Sequence, residues 1–161
     1  MNIFATHSDP FLSSRDLDDK RMIKMILEST QLLCGALRYY GCAHEALYMP
    51  THMNHPCAIW TRACVGNFYW LMEYTQHLCD NYFAYYHKHH ACEDIIDIIN
   101  IESLDYCIPN GIRTPFANCT PYKEEDRRDV HQKYRDYLKA KWQSDVRKPT
   151  WKLHGKPNWF N

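Results

Sequence analysis

Apolar residues recur every three or four positions through most of the chain, which is the period of an α-helix. The helices predicted by this pattern span residues 12–40, 56–86, 92–101 and 122–143. Gly41 and Pro56 stand where a helix ends or begins most readily, because glycine tolerates the left-handed conformation and proline fits a first helical turn. Gly66 is a weak point inside the second predicted helix. Residues 102–121 contain several prolines and predict a long irregular connection.

The same pattern favours one fold class. No segment alternates steadily between apolar and polar residues as a half-buried strand does, and glycine-rich phosphate loops are absent from the sequence. The sequence therefore predicts an all-α protein with about four helices. A length of 161 residues fits a single compact domain over residues 1–161.

The formal net charge of zero hides an uneven distribution along the chain. Residues 1–110 contain 7 Lys and Arg against 13 Asp and Glu, whereas residues 111–161 contain 12 against 6. In the segment 122–161 the basic residues alternate with tryptophan, tyrosine and phenylalanine. Such a mixture can neutralise phosphates and stack on bases, although a solvated helix face explains the same charges. We expect an irregular, basic and aromatic C-terminal tail with DNA as its partner.

Composition limits the other classes of function. The eight cysteines include no CxxC pair, and the chain shows no secretory signal, so we expect buried reduced thiols with no metal and no other cofactor. No run approaches the ~20 apolar residues that cross a bilayer. These features predict a cytoplasmic protein of a bacterial or phage-infected cell without membrane contact, and they leave its oligomeric state open.

A polar seam follows the first predicted helix. Lys20, Lys24, Glu28 and Gln31 share one face, since their spacing is three or four residues. Lys24 and Glu28 are candidate catalytic residues, while Lys20, Arg21 and Gln31 are candidate substrate-binding residues. The alternative is a solvent-facing stripe with an ordinary ion pair between Lys24 and Glu28.

A second group of candidates lies in the loop before Pro56 and in the helix that follows it. The group comprises His52, Asn54, His55, Trp60 and Arg62. The free amides of a helix N-terminus attract anions, so these residues predict a phosphate or carboxylate pocket, with His55 as a further catalytic candidate. A simple capping loop is the alternative. A metal bound by His52 and His55, or a nucleophilic Cys57, is less favoured because no third group stands at a standard spacing.

Several of these segments resemble a known family. The helix 17–36, with Glu28 followed by Leu-Cys-Gly-Ala-Leu at 33–37, resembles the first helix of the pyrimidine-dimer DNA glycosylases, the phage endonuclease V family. The stretch Arg-Lys-Pro-Thr-Trp-Lys-Leu-His-Gly-Lys at 147–156 resembles the basic, aromatic C-terminal segment of that family, and Asn67 opens a stretch similar to its aromatic middle helix. Over nearly its whole length the chain is also similar to small phage and bacterial proteins that share Met-Asn-Ile-Phe at the start and Thr-His-x-Asn-His-Pro.

The resemblance implies a base-excision mechanism. In that family the amino-terminal amine attacks C1′ of the damaged nucleotide to form an imine, and a glutamate assists ring opening and β-elimination. Carried over to this chain, Glu28 takes the place of the glutamate and Met1 supplies the amine, whose ordinary pKa of about 8 leaves a useful neutral fraction at pH 7. The family exposes a small residue after removal of Met1, whereas this chain has the bulky Asn2.

The resemblance also assigns binding roles. Arg62, Lys148 and Lys152 are expected on phosphates, and Trp151 is expected to fill the gap left by a flipped base. Two other functions remain open from the sequence. One is a phage DNA-base or nucleotide-modifying transferase on the same scaffold, and the other is a non-catalytic phage protein that binds nucleic acid or a host target.

Overall fold

The structure is a computed structural model that describes residues 1–123 and 125–160. Its helices are α1 (Pro10–Arg15), α2 (Asp19–Tyr39), α3 (Pro56–Ala63), α4 (Val65–Tyr86), α5 (Glu93–Ile101) and α6 (Val130–Ser144), with a 3₁₀ turn at Leu104–Cys107. Within these two ranges no strand occurs, so the predicted all-α class is confirmed. None of the helices described is both long enough and apolar enough to cross a membrane.

The two longest helices, α2 and α4, pack against each other along the centre of the molecule. Their fully buried side chains, which include Ile26, Leu33 and Leu37 of α2 and Phe68, Leu71 and Leu78 of α4, form most of the core. Helix α1 packs on α4, and α3 packs on both central helices. Helix α6 adds the buried side chains of Tyr134, Leu138 and Trp142 to the same core.

The first predicted helix, 12–40, is wrong at its start, because residues 16–18 separate α1 from α2. Two buried aspartates occupy this break. Asp16 accepts hydrogen bonds from the Thr6 hydroxyl at 2.7 Å and from the Trp159 indole at 2.9 Å. Asp18 accepts from the Trp142 indole at 2.7 Å. The helix is interrupted because both carboxylates bond to distant parts of the chain, which a local pattern does not reveal.

The second predicted helix, 56–86, is likewise two helices, α3 and α4. Cys64 between them is extended, with φ −162° and ψ 162°. The first amides of α4 bond outside the helix, from Val65 to the Pro109 carbonyl at 2.8 Å and from Gly66 to the Gly111 carbonyl at 3.1 Å. A Cβ atom on Gly66 would lie 2.4 Å from the Arg113 nitrogen. Only glycine therefore lets the segment 111–113 pass this close to the start of α4.

The last predicted helix, 122–143, begins later than expected, at Val130. The Asp129 side chain caps it by accepting a 2.9 Å hydrogen bond from the Gln132 amide. After α6 the chain returns to the start of α2, where the amide of Asp19 donates to the Thr150 carbonyl at 2.8 Å. The tail is irregular, and its aromatic rings pack together around Trp142, which they contact through Trp151, Trp159 and Phe160. Residues 124 and 161 of the predicted tail 122–161 lie outside the described residues.

Candidate active site

The amino terminus is held inside the molecule by the side chain of Asn2. This buried residue accepts hydrogen bonds through Oδ1 from the amides of Ile3, at 2.8 Å, and Phe4, at 2.9 Å. Its Nδ2 donates to the Cys119 carbonyl at 3.1 Å. Phe4 adopts the left-handed backbone conformation with φ 39°, which turns the chain at this point. The first residues are therefore fixed in position.

The amino terminus ends beside the carboxylate of Glu28. The Asn2 amide donates to Glu28 Oε2 at 3.0 Å, and the Met1 amine lies 3.7 Å from the same oxygen. The other oxygen, Oε1, lies 3.3 Å from Lys24 Nζ. The Glu28 side chain is 13% exposed, whereas that of Lys24 is 64% exposed. The fold thus brings together Met1, Lys24 and Glu28, three of the four candidate catalytic residues.

The fourth candidate, His55, lies at the start of α3 beside two thiols. Its Nδ1 accepts a 3.2 Å hydrogen bond from the Cys57 amide, which makes His55 the N-cap residue of α3. Sγ of Cys57 lies 2.9 Å from Sγ of Cys119, and the nearest ligand atoms of the three residues are all within 4.8 Å of one another. The capping alternative raised by the sequence therefore describes one role of His55. No sequence pattern indicated that Cys119 would lie beside it.

The surroundings shift the protonation of these three groups. Burial lowers the pKa of His55, and the nearby charge of the Met1 amine acts in the same direction. The hydrogen bond between the two thiols lowers the pKa of Cys119 to about 7 and raises that of Cys57. The Met1 charge lowers the pKa of both thiols, so the amine lies close enough to affect the whole cluster.

Two adjoining clefts open beside this site. One, of about 300 Å³, is bordered by Met1, Asn2 and Glu28 together with Lys20, Lys24 and Lys141. The other, of about 360 Å³, is bordered by Lys20 and Lys24 on one side and by Arg147, Lys148 and Lys152 on the other. Because Lys20 and Lys24 border both clefts, one basic surface extends from Glu28 to the C-terminal tail.

Two predicted arginines are already committed to bonds within the protein. The Arg21 side chain is buried between Asp18, at 3.0 Å, and Asp145, at 2.9 Å. Arg62 donates to the Met53 carbonyl at 2.6 Å, and its guanidinium lies 4.3 Å from the centre of the Tyr39 ring. The buried Arg21 therefore presents no open bidentate fork to a phosphate, whereas Arg62 uses Nη1 alone in this hydrogen bond.

The other predicted binding residues fall into an interior group and an exposed group. In the interior, Trp60 donates to the Pro115 carbonyl at 3.0 Å and Asn67 donates to the Trp60 carbonyl at 2.7 Å. Trp151 is half-buried on Trp142, at the edge of the interior, and donates through its indole to the Asp16 carbonyl at 3.1 Å. His52 and Asn54 are exposed in the loop before α3, and Gln31 is partly exposed one turn beyond Glu28. Packing brings none of these six into the lining of the cleft beside Glu28.

Residues 1–94 match the family model described as pyrimidine dimer DNA glycosylase. This match covers more than half of the chain and includes Met1, Glu28, His55 and Cys57. The chain belongs to the pyrimidine dimer DNA glycosylase family. The resemblance found in the sequence is thereby confirmed. Neither the curated proteins nor the solved structures provide a match. Cys119 and the basic tail of this glycosylase family member lie beyond the matched residues.

Proposed function

We propose that the protein is a DNA glycosylase with AP lyase activity, in which the amine of Met1 is the nucleophile and Glu28 transfers protons. The observation that supports this most directly is the 3.7 Å separation between the Met1 amine and Glu28 Oε2 at the edge of a basic cleft. Family membership supplies the class of reaction. The separation is longer than the roughly 2.6–3.2 Å of a direct hydrogen bond, and such contacts commonly shorten when substrate binds or are bridged by one water.

The first step replaces the base with the protein. The neutral Met1 amine attacks C1′ of the nucleotide, the bond from C1′ to the base nitrogen breaks, and the base leaves with that electron pair. The proton lost by the amine passes to Glu28 and the base takes up a proton on leaving. The product is a sugar joined to the amino terminus through a carbon–nitrogen bond.

The second stage is the lyase reaction. The sugar ring opens as O4′ leaves C1′ and gains a proton, while the nitrogen lone pair forms an imine. Removal of a C2′ proton then expels the 3′ phosphate by β-elimination, and hydrolysis of the imine releases the amine. Glu28 lies close enough to the amine to return the proton to O4′, and Lys24 Nζ lies 3.3 Å from Glu28 Oε1 on the side of the cleft.

DNA is the proposed substrate, and the two clefts are its proposed binding surface. Lys20 and Lys24 lie next to the reacting end of the site, whereas Lys148 and Lys152 lie on the far side of the larger cleft. Lysines distributed in this way can contact successive phosphates of one strand. The half-buried Trp151, packed on Trp142, is the aromatic residue proposed to fill the gap left by a flipped base.

Borohydride trapping tests the proposal, because borohydride reduces an imine to a stable amine and fixes the protein to DNA. The wild-type protein is expected to form a covalent adduct with DNA that contains a pyrimidine dimer or an abasic site. Glu28→Gln should lose at least about a hundredfold in the rate of adduct formation, the lower range for a proton-transfer group. The matched control is Glu73→Gln, since Glu73 is an exposed glutamate of α4 outside both clefts.

Failure to trap an adduct, with DNA binding intact, would overturn the glycosylase–lyase proposal. That result would favour the base-modifying transferase or the non-catalytic binding protein. Equal loss in both glutamate variants would also contradict it, because the effect would then not depend on the position of Glu28.

A further inference from the structure

A cluster of three metal-binding side chains lies next to the amino terminus. Cys57 stands in the first turn of α3, His55 stands two residues before it, and Cys119 comes from the connection that precedes α6. The two sulfurs, 62 residues apart in sequence, lie 2.9 Å from each other. Cys57 is fully buried, and the other two are partly exposed. The cluster therefore joins two distant segments and remains accessible to a small ion.

We infer that His55, Cys57 and Cys119 bind a Zn²⁺ ion, with the fourth coordination position left for water or for a reacting group. Thiolate sulfur and imidazole nitrogen are the ligands that zinc prefers, and a set of two cysteines and one histidine is known among catalytic zinc sites. Calcium and magnesium do not fit, because they require oxygen ligands. Among the described residues, this is the one group of three potential ligands whose ligand atoms all lie within 4.8 Å of one another.

The backbone that carries the two sulfurs is held by hydrogen bonds on both sides of the cluster. The Cys57 amide donates to His55 Nδ1 at 3.2 Å in the capped first turn of α3. The Cys119 carbonyl accepts from Asn2 Nδ2 at 3.1 Å, and the Cys119 amide donates to the Tyr134 hydroxyl at 3.3 Å. Hydrogen bonds around the cluster therefore hold both cysteines in position, as the groups that surround metal ligands commonly do.

Metal binding requires two small adjustments. Zinc–sulfur bonds of about 2.3 Å in a tetrahedron place two sulfurs roughly 3.8 Å apart, so the pair has to open from 2.9 Å. If His55 coordinates through Nδ1, the metal also replaces the cap bond from the Cys57 amide. Cys119 lies in an irregular segment, where a movement of this size disturbs no helix.

The site has a consequence for the proposed chemistry. A cation held by His55, Cys57 and Cys119 would lie near the amino terminus, because Asn2 Nδ2 donates to the Cys119 carbonyl at 3.1 Å. It would fix the segment around Cys119 against the amino terminus. The inference stands on the ligand geometry and is independent of the glycosylase proposal.

Cobalt provides the most direct probe, because Co²⁺ takes the place of Zn²⁺ and absorbs light when thiolates bind it. Full-length protein is first reduced and stripped with a chelator, then titrated with Co²⁺ and back-titrated with Zn²⁺. We expect one metal per chain, thiolate-to-cobalt charge-transfer absorption, and loss of that absorption on addition of Zn²⁺. Zinc should also raise the melting temperature of the stripped protein.

Three ligand variants and one control locate the site. The variants Cys57→Ser, Cys119→Ser and His55→Gln should each lose at least about tenfold in zinc affinity. Substitution of a group that only hydrogen-bonds to a ligand already costs about that much, so loss of a ligand should cost no less. Cys107→Ser is the control, since Cys107 is a partly exposed thiol outside the cluster. Its affinity should stay within about twofold of wild type.

Two results would overturn the inference. The first is that stripped and reduced protein binds neither Co²⁺ nor Zn²⁺ at neutral pH. This result counts equally if the protein is isolated with a Cys57–Cys119 disulfide and still binds neither ion after reduction. The other is metal binding that Cys107→Ser weakens as much as the ligand variants do. Borohydride trapping of the same preparations separates the two proposals, because an adduct without metal binding leaves the glycosylase proposal intact.

Discussion

The main-chain amide of Asn2 donates a 3.0 Å hydrogen bond to Glu28 Oε2, so that the amino terminus is tied to the middle of α2. The bond holds the amine of Met1, one residue earlier, at 3.7 Å from the same oxygen. A terminal residue is usually among the most mobile in a chain. Here it is fixed against a carboxylate, and catalysis by a terminal amine depends on that positioning.

Substitution of the cleft lysines should weaken DNA binding in a salt-dependent manner. Each lysine that contacts a phosphate adds about one to the slope of log affinity against log salt concentration. Lys20→Gln and Lys148→Gln should therefore each reduce that slope by about one and weaken binding similarly across sequences. Binding isotherms at several salt concentrations measure the effect.

Arg127→Gln is the control for this experiment, because Arg127 is an exposed basic residue of the C-terminal third and borders neither cleft. Its slope should equal that of the wild type. An unchanged slope in Lys20→Gln and Lys148→Gln would show that DNA does not follow the clefts.

Two helical glycines should respond in opposite ways to alanine. In Gly66→Ala the new Cβ would lie 2.4 Å from the Arg113 backbone nitrogen, so the variant should lose about 2 kcal/mol of unfolding free energy. In Gly35→Ala the nearest atom is the flexible Met53 sulfur at 3.4 Å, so the gain in helix propensity should leave stability equal or up to about 1 kcal/mol higher. Urea unfolding of both variants tests the close approach of Gly66 to the backbone of residues 111–113. A Gly66→Ala variant more stable than Gly35→Ala would contradict that approach.

Asp18 should be among the more sensitive positions for stability. Its buried carboxylate accepts from the Trp142 indole at 2.7 Å and from Arg21 at 3.0 Å. Asp18→Ala leaves both donors without this acceptor, so we expect a loss of about 3 kcal/mol in unfolding free energy. Asp18→Asn, the matched control, retains an acceptor oxygen and should lose less. Equal losses in chemical denaturation would show that the charge alone is important.

Stability should fall as the pH falls below neutrality. Burial is the main cause that lowers the pKa of His7, His90 and His154 from the ordinary value of 6.5. The unfolded chain binds protons at these positions more readily, so the stability present above pH 6.5 is lost as the pH decreases through the lowered values.

Urea midpoints measured between pH 7.5 and pH 5 check this prediction. His90→Asn should show a weaker pH dependence than the wild type, because His90 Nδ1 accepts a 3.1 Å hydrogen bond from the Cys92 amide and protonation ends that bond. An asparagine oxygen can replace the acceptor without titrating. A midpoint that rises on acidification would contradict the burial of these rings.

Local pattern predicted the parts of the fold that local forces determine. The periodicity identified all-α structure, the end of α4 at Tyr86 and nearly the whole of α5, since helix propensity and capping are encoded within a few residues. It missed the breaks at residues 16–18 and at Cys64. There, partners more than 40 residues away take the hydrogen bonds, as the bond from the Val65 amide to the Pro109 carbonyl illustrates.

The candidate site divides in the same way. The seam of α2 is visible in the sequence because its residues share a helix face, and the ion pair between Lys24 and Glu28 lies where the spacing places it. The pairing of Glu28 with the amino terminus came from family resemblance, since no pattern joins residue 1 to residue 28. The contact of Cys57 with Cys119 was missed, because 62 positions separate them and an irregular segment supplies one partner.

The most direct test of the central claim is to locate the protein atom that becomes bonded to DNA. Adduct trapped with borohydride is digested and its peptides are mapped by mass spectrometry, with a matched preparation whose amino terminus is chemically blocked. We expect the sugar remnant on the α-amine of Met1 and no adduct from the blocked protein. A remnant on Lys20 or Lys24, or an undiminished yield after blocking, would contradict the assignment of the amino-terminal amine as the nucleophile.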